Sequence, residues 1–265
     1  MSRLFGPGRY TPWERVLYAP VYVLARVLWR VEIEWRDGLA RGPSDLLAER
    51  LPDGALLVAN HSCSLDPFFV QLVSGRRVHW MVAGEYFHHF LFGPVLRSYQ
   101  AIPTNRAGVD TASTKRAIAL AKSGRFVGMF PEGRINRTDK PLLSIRPGAA
   151  IVAQRASVPL VPIWIDGAPR GYEVYSALFM PARVRIIVGP AQFCPDSSQE
   201  GVSDANESLD GAGAFSQPGR LAKTERVQAR DDAVAWIADV MQQSMRLGGN
   251  TTERVQLAGR KWLDN

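Results

Sequence analysis

"ALLVANHSCSLDPFFVQLVSG", residues 55–75, decides the fold, because its hydrophobic pattern changes character in mid-course. Residues 55–60 are an apolar run closed by Asn60, which predicts a buried strand. Residues 67–75 begin with Pro67 and end at Gly75, the start and stop signals of a helix. A strand that feeds a helix through a short polar turn is half of a βαβ unit. In an open α/β sheet that turn lies beyond the carboxyl end of a strand, where reactive side chains collect. Here it carries His61 and Asp66.

The same alternation continues outward. Strand patterns occupy 31–35, 77–84, 125–130, 160–165 and 184–192, with a short strand or turn at 101–106. Helix patterns occupy 86–99, 111–124, 147–156 and 227–249. The expected fold is α/β, a single domain with a largely parallel (mixed) central sheet flanked by helices and preceded by an N-terminal amphipathic helical segment. Residues 1–38 hold that segment and the first strand, and 39–194 form the core. Residues 195–222, rich in Ser, Asp, Gly and Gln, read as a flexible loop or linker. Residues 223–265 hold a C-terminal helix and tail.

"WERVLYAPVYVLARVLWRV" (13–31) is apolar but interrupted by Glu14, Arg15, Arg26 and Arg30, so it does not supply the roughly 20 uncharged residues of a spanning helix. Val16, Leu17, Val23, Leu24, Val27, Leu28 and Val31 recur at helical spacing. Such a stripe covers either a membrane interface or the protein's own core. The 265 residues are 46% hydrophobic and 22% charged, with a net charge of +7. That excess attracts polyanions, an anionic membrane among them. No aromatic–basic strand or recognition-helix pattern accompanies it, so no nucleic-acid partner is expected. Cys63 and Cys194 are too few for a disulfide framework or a zinc site. The N-terminus lacks the apolar stretch and cleavage site of a signal peptide, which points to a cytoplasmic chain.

Two polar constellations follow strands. In "NHSCSLDP" (60–67), Asp66 before Pro67 suits a helix cap. His61 and Asp66 would face about 140° apart on a regular helix, but a loop that turns back brings them together. An aspartate on one ring nitrogen leaves the other as a base. A nucleophilic role for Ser62 or Cys63, and a metal site made of His61, Asp66, His88 and His89, are the weaker alternatives. In "FPEGRINR" (130–137), Glu132, a flexible Gly133 and the guanidiniums of Arg134 and Arg137 suit an anionic ligand or an ordinary polar turn.

"NHSCSLDP" resembles the NHxxxxD motif of the glycerolipid acyltransferases, the family of bacterial 1-acylglycerol-3-phosphate acyltransferases. "FPEGR" is similar to that family's FPEG block, "QAIPTNR" to its second block ending in Arg106, and "VPLVPIWI" (158–165) to its fourth. Four blocks in order over about a hundred residues make the resemblance specific, with Asn60, Pro131, Val158, Pro159 and Pro162 as supporting motif positions. The resemblance implies that His61 is the general base and Asp66 its orienting partner. Arg106, Glu132 and Gly133 would hold the acceptor's phosphate and glycerol, with Arg134 or Arg137 assisting, and the Val-Pro block would line the acyl side.

An acyl thioester, acyl-CoA or acyl carrier protein, is then the co-substrate. Neither a cofactor nor a metal is expected, and a lysophospholipid at the cytoplasmic face of an anionic membrane is the acceptor. Oligomeric state is not read from the sequence. Gln100 stands where the family commonly has Gly, and Arg134-Ile135-Asn136-Arg137 stands where a hydroxyl residue, Arg and Ser are frequent. These departures leave another lyso-lipid acceptor open, phosphate-free or amide-linked, or a non-catalytic lipid-binding role.

Overall fold

The computed structural model describes residues 16, 19, 20, 23, 25, 27–36, 51, 53–90, 92–105, 111–169, 177–194 and 223–247. Arg106, the segment 195–222 and the tail beyond 247 lie outside the described residues. The strands are β1 (Trp29–Trp35), β2 (Ala55–Ala59), β3 (Val78–Ala83), β4 (Ile102–Thr104), β5 (Phe126–Met129), β6 (Leu160–Asp166) and β7 (Ala182–Val188). The helices are α1 (Asp66–Ser74), α2 (Phe92–Ser98), α3 (Thr111–Lys122), α4 (Pro147–Ala156) and α5 (Lys223–Leu247), with a 3-10 helix at Gly84–His88.

The strands form one sheet in the order β1-β7-β6-β2-β5-β3-β4. The five strands from β6 to β4 run parallel, while β7 pairs antiparallel with β6 and carries β1 beside it. The mixed, largely parallel sheet expected from the sequence is the one observed. β2 lies at its centre and is buried at all five positions. This is why it reads as a continuous apolar run rather than an alternating one.

Successive side chains of β2 point to opposite faces. Ala55, Leu57 and Ala59 join a core with Phe69, Val70 and Val73 of α1. Leu56 and Val58 join another with Ala117 and Ala121 of α3, Ala150 and Val152 of α4, and Ile237 and Met241 of α5. Each large apolar side chain so buried contributes about 1.5–3 kcal/mol. The chain leaves β2 for one face and leaves β5, its neighbour, for the other. Their carboxyl ends therefore flank a crevice of the kind in which open α/β sheets bind ligands.

Two departures from the sequence pattern lie beside the site, while other element ends shift by a few residues. The helix expected at 86–99 is instead the 3-10 helix and α2, separated at His89, whose backbone is extended. Pro94 is the reason: lacking an N–H and clashing with the carbonyl four residues back, it fits only in the first turn, so α2 starts at Phe92. Asp66 is not a helix cap. Leu65 holds the cap position of α1 and Asp66 is the first helical residue, with Pro67 beside it.

At the N-terminus, Val16, Ala19, Pro20, Val23, Ala25 and Val27 are helical. Ala25 faces the core, while Val16, Val23 and Val27 are 64%, 54% and 74% exposed. Leu28 and Val31 pack against the core. The buried Trp29 follows, its Nε1–H donating to the Met180 carbonyl at 3.1 Å and its ring meeting Phe69 edge-on at 5.2 Å.

Candidate active site

Asn60 ends β2, and its side chain takes the place of a further strand residue. Its Nδ2–H donates to the Ile165 carbonyl at 2.9 Å, and its Oδ1 accepts the Ile165 N–H at 2.7 Å. This two-way bond ties the end of β2 to β6 and fixes where the chain leaves the sheet.

The next residue is His61. Its N–H donates to Glu132 Oε1 at 2.7 Å, and its carbonyl accepts the Asn136 N–H at 2.6 Å. Both backbone groups are thus held by the loop that follows β5. The turn from Ser62 to Leu65 then reverses the chain, and Asp66 Oδ2 receives three donors: the His61 ring through Nδ1–H at 3.0 Å, and the N–H groups of Ser62 and Cys63 at 2.7 and 2.8 Å. Asp66 is completely buried, whereas 16% of the His61 side chain reaches the surface. Burial pushes the Asp66 carboxyl up, and the imidazole and the two backbone donors pull it back. With Nδ1–H committed to Asp66, Nε2 is the ring nitrogen left to accept a proton.

Glu132 is buried, and both its oxygens are used: Oε1 by His61 and Oε2 by the Leu143 N–H at 2.8 Å. Burial pushes this carboxyl up, offset by those two backbone donors. Glu132 thereby clamps the loop after β2 to the loop after β5. Gly133 turns the chain at φ +68°, a conformation that glycine adopts without strain. A Cβ there would stand 2.6 Å from Cδ and Nε of Arg146. Arg134 and Arg137 are exposed on the same loop.

Val158, Pro159 and Pro162 do not line this crevice. Leu160 pairs with Leu56 at the beginning of β2, so Val158 and Pro159 lie at the opposite end of the sheet, both buried, with Val158 beside Gly54. Ile163, the partner of Ala59, lies four residue steps beyond Pro159, a distance of about 13 Å. Pro162 is buried in mid-strand, with its carbonyl accepting the Gly189 N–H at 2.9 Å. These residues are packed in the core of the sheet.

Cys63 is buried and its thiol is pushed up by that burial. It stays protonated and is a poor nucleophile. Among the described residues no three His, Cys, Asp or Glu side chains gather as a cation site. His89 instead packs on Phe90 and Phe92.

Sequence reasoning missed four participants. Leu143 presents a backbone donor, which no side-chain pattern reveals. Arg146 precedes α4 and lies over Gly133, and among the described residues its guanidinium has no hydrogen-bonding partner. Phe130 stacks on the His61 ring at 4.0 Å between centroids, and Trp80 stacks on Phe130 at 4.7 Å. Phe130 was visible within the "FPEGR" block, but its ring had no assigned task.

The family model described as Acyltransferase matches residues 46–166, which contain all of these groups. A 1-acyl-sn-glycerol-3-phosphate acyltransferase of Bacillus subtilis (strain 168) is 30% identical over 168 residues, 61% of this chain and 81% of that protein. An N-acylphosphatidylethanolamine synthase of Arabidopsis thaliana is 29% identical over 140 residues, 49% of each chain. The crystal structure of the 1-acyl-sn-glycerophosphate (LPA) acyltransferase from Thermotoga maritima superposes with a TM-score of 0.55 at 15% identity, covering 89% of this chain and 80% of that one. At that identity the likeness is one of fold.

Proposed function

We propose that this chain, which belongs to the glycerolipid acyltransferase family, moves a fatty acyl group from a thioester to the free hydroxyl of 1-acylglycerol-3-phosphate. The observation that carries the reading is the His61–Asp66 pair, buried on the aspartate side and open at the imidazole. Nε2 takes the hydroxyl proton as the oxygen bonds to the acyl carbon, and Asp66 stabilises the imidazolium that forms. The carbon–sulfur bond then breaks, and the departing thiolate collects that proton. The thioester, acyl-CoA or acyl carrier protein, already supplies an activated acyl group, so the step requires no resident cofactor.

The acceptor's phosphate falls to arginine, whose planar fork suits an oxyanion. Arg134, Arg137 and Arg146 supply it from the described side of the crevice, together with Arg106. The protein works at the cytoplasmic face of an anionic membrane. No helix among the described residues is long and apolar enough to span one. Val16, Val23 and Val27 form an exposed stripe that suits docking in the interface.

A second reading has one point in its favour, the relative named an N-acylphosphatidylethanolamine synthase. In it the attacking group is an amine. Purified protein presented with acyl-CoA or acyl carrier protein and a panel of lyso-lipids and phosphatidylethanolamine tests both. Phosphatidic acid from the lysophosphatidic acid well is the expected product, and an amide product alone would establish the second reading.

A further inference from the structure

The ring column beside the base has a use that goes beyond packing. We propose that Phe130, backed by Trp80, is a positioning residue for His61: it fixes the plane of the imidazole and favours its protonated state during acyl transfer. The inference rests on the activity proposed above.

The column follows from strand periodicity. Ala59 and His61, Gly128 and Phe130, and Val78 and Trp80 are positions two apart, so the two members of each pair belong to the same face of the sheet. β2, β5 and β3 are adjacent parallel strands, with Val58 opposite Met129 and Trp80 opposite Gly128. By that register Trp80 faces Gly128 and Phe130 comes level with Ala59, so the three rings lean diagonally across neighbouring strands to meet. The centroids are 4.0 Å (His61–Phe130) and 4.7 Å (Phe130–Trp80) apart, with interplanar angles of 13° and 12°. Ordinary core aromatics also meet edge-on, as Trp29 and Phe69 do at 76° in the same core. Gly128 makes the flat arrangement feasible. A Cβ at that buried position would stand 2.6 Å from the Trp80 ring, so the strand gives up a side chain in mid-run where the indole lies.

Two effects reach the reacting atom. Asp66 holds one edge of the imidazole and Phe130 one face, so the direction of Nε2 is set by two contacts rather than one. A ring face also attracts a cation, and His61 carries positive charge while it holds the hydroxyl proton. The attraction therefore strengthens in the transition state, where it accelerates the reaction.

The test compares Phe130→Leu, Phe130→Tyr, Trp80→Leu and Trp80→Phe for kcat, acceptor KM and melting temperature. The ring protons of His61 are followed by NMR, with His61→Ala as the assignment control. Phe130→Leu is expected to lower kcat between about tenfold and 100-fold with little change in KM, and Trp80→Leu less. The aromatic replacements should recover most of the rate. In Phe130→Leu the His61 ring protons should lose the upfield displacement that a stacked ring imposes. A kcat within twofold of the unsubstituted protein in Phe130→Leu, or equal losses in the Leu and aromatic variants, would overturn the proposal. So would His61 ring protons that do not move in a folded Phe130→Leu. Failure of the unsubstituted protein to transfer acyl groups to any acceptor would instead remove the proposed activity, and with it the catalytic meaning of the column.

Discussion

At His61 every group that can be fixed is fixed: the backbone by Glu132 and Asn136, Nδ1 by Asp66, and one ring face by Phe130. Asp66→Asn separates charge from geometry. An amide oxygen in place of Oδ2 still accepts from the turn, and the amide nitrogen occupies the place of Oδ1, which has no partner. The melting temperature should move little, while kcat falls on the order of 10²–10⁴-fold, measured by steady-state assay. Glu132→Gln acts differently. One of the His61 and Leu143 N–H groups would then face an NH₂ group, leaving a buried donor unpaired at about 1–3 kcal/mol. Urea denaturation should show that loss of stability, with activity falling because the loop that carries His61 is released.

The elements were largely legible. The apolar run 55–60 and the Pro-to-Gly frame of 67–75 announced β2 and α1, because a central strand and a capped helix leave strong local marks. The break between the 3-10 helix and α2 was harder to see. The apolar content of 86–99 runs straight through it, and only Pro94 carries the interruption. The roles of Glu132, Val158 and Pro159 were hidden for another reason: a motif names residues without saying which way they face. Glu132 points inward to two backbone donors, and the Val-Pro pair sits at the far end of β6.

The departure at Arg134-Ile135-Asn136-Arg137 also has a structural side. The Asn136 side chain accepts from the N–H and hydroxyl of Thr138 and donates to the Lys140 carbonyl, so it shapes the turn while its N–H holds His61. At the joint between strand and site, Asn60→Ala should strand both backbone groups of Ile165. That leaves two buried unpaired groups, about 1–3 kcal/mol each. Calorimetry should show a lower melting temperature, and the assay a lower rate.

Across the whole molecule, the connections above the sheet join chemistry to a surface. β1 runs in register with β7 from Trp29 opposite Ala182, and β7 is antiparallel to β6. The N-terminal helical residues therefore enter the sheet at the end where β2 and β5 deliver His61 and Phe130. Under the membrane docking proposed above, exposed Val16, Val23 and Val27 and the net charge of +7 would meet lipid with the catalytic end toward the interface. Replacing the three valines by serine should weaken sedimentation with anionic vesicles at least tenfold without lowering the melting temperature. Unchanged vesicle binding would assign the stripe another purpose.

The claim on which the rest depends is that His61 is the base for acyl transfer. The most direct measurement is phosphatidic acid formation from lysophosphatidic acid and an acyl thioester by purified protein and its His61→Ala variant, each shown folded by circular dichroism. The account predicts product from the first and a loss on the order of 10²–10⁴-fold or more in the second. Equal rates from the two proteins would contradict it.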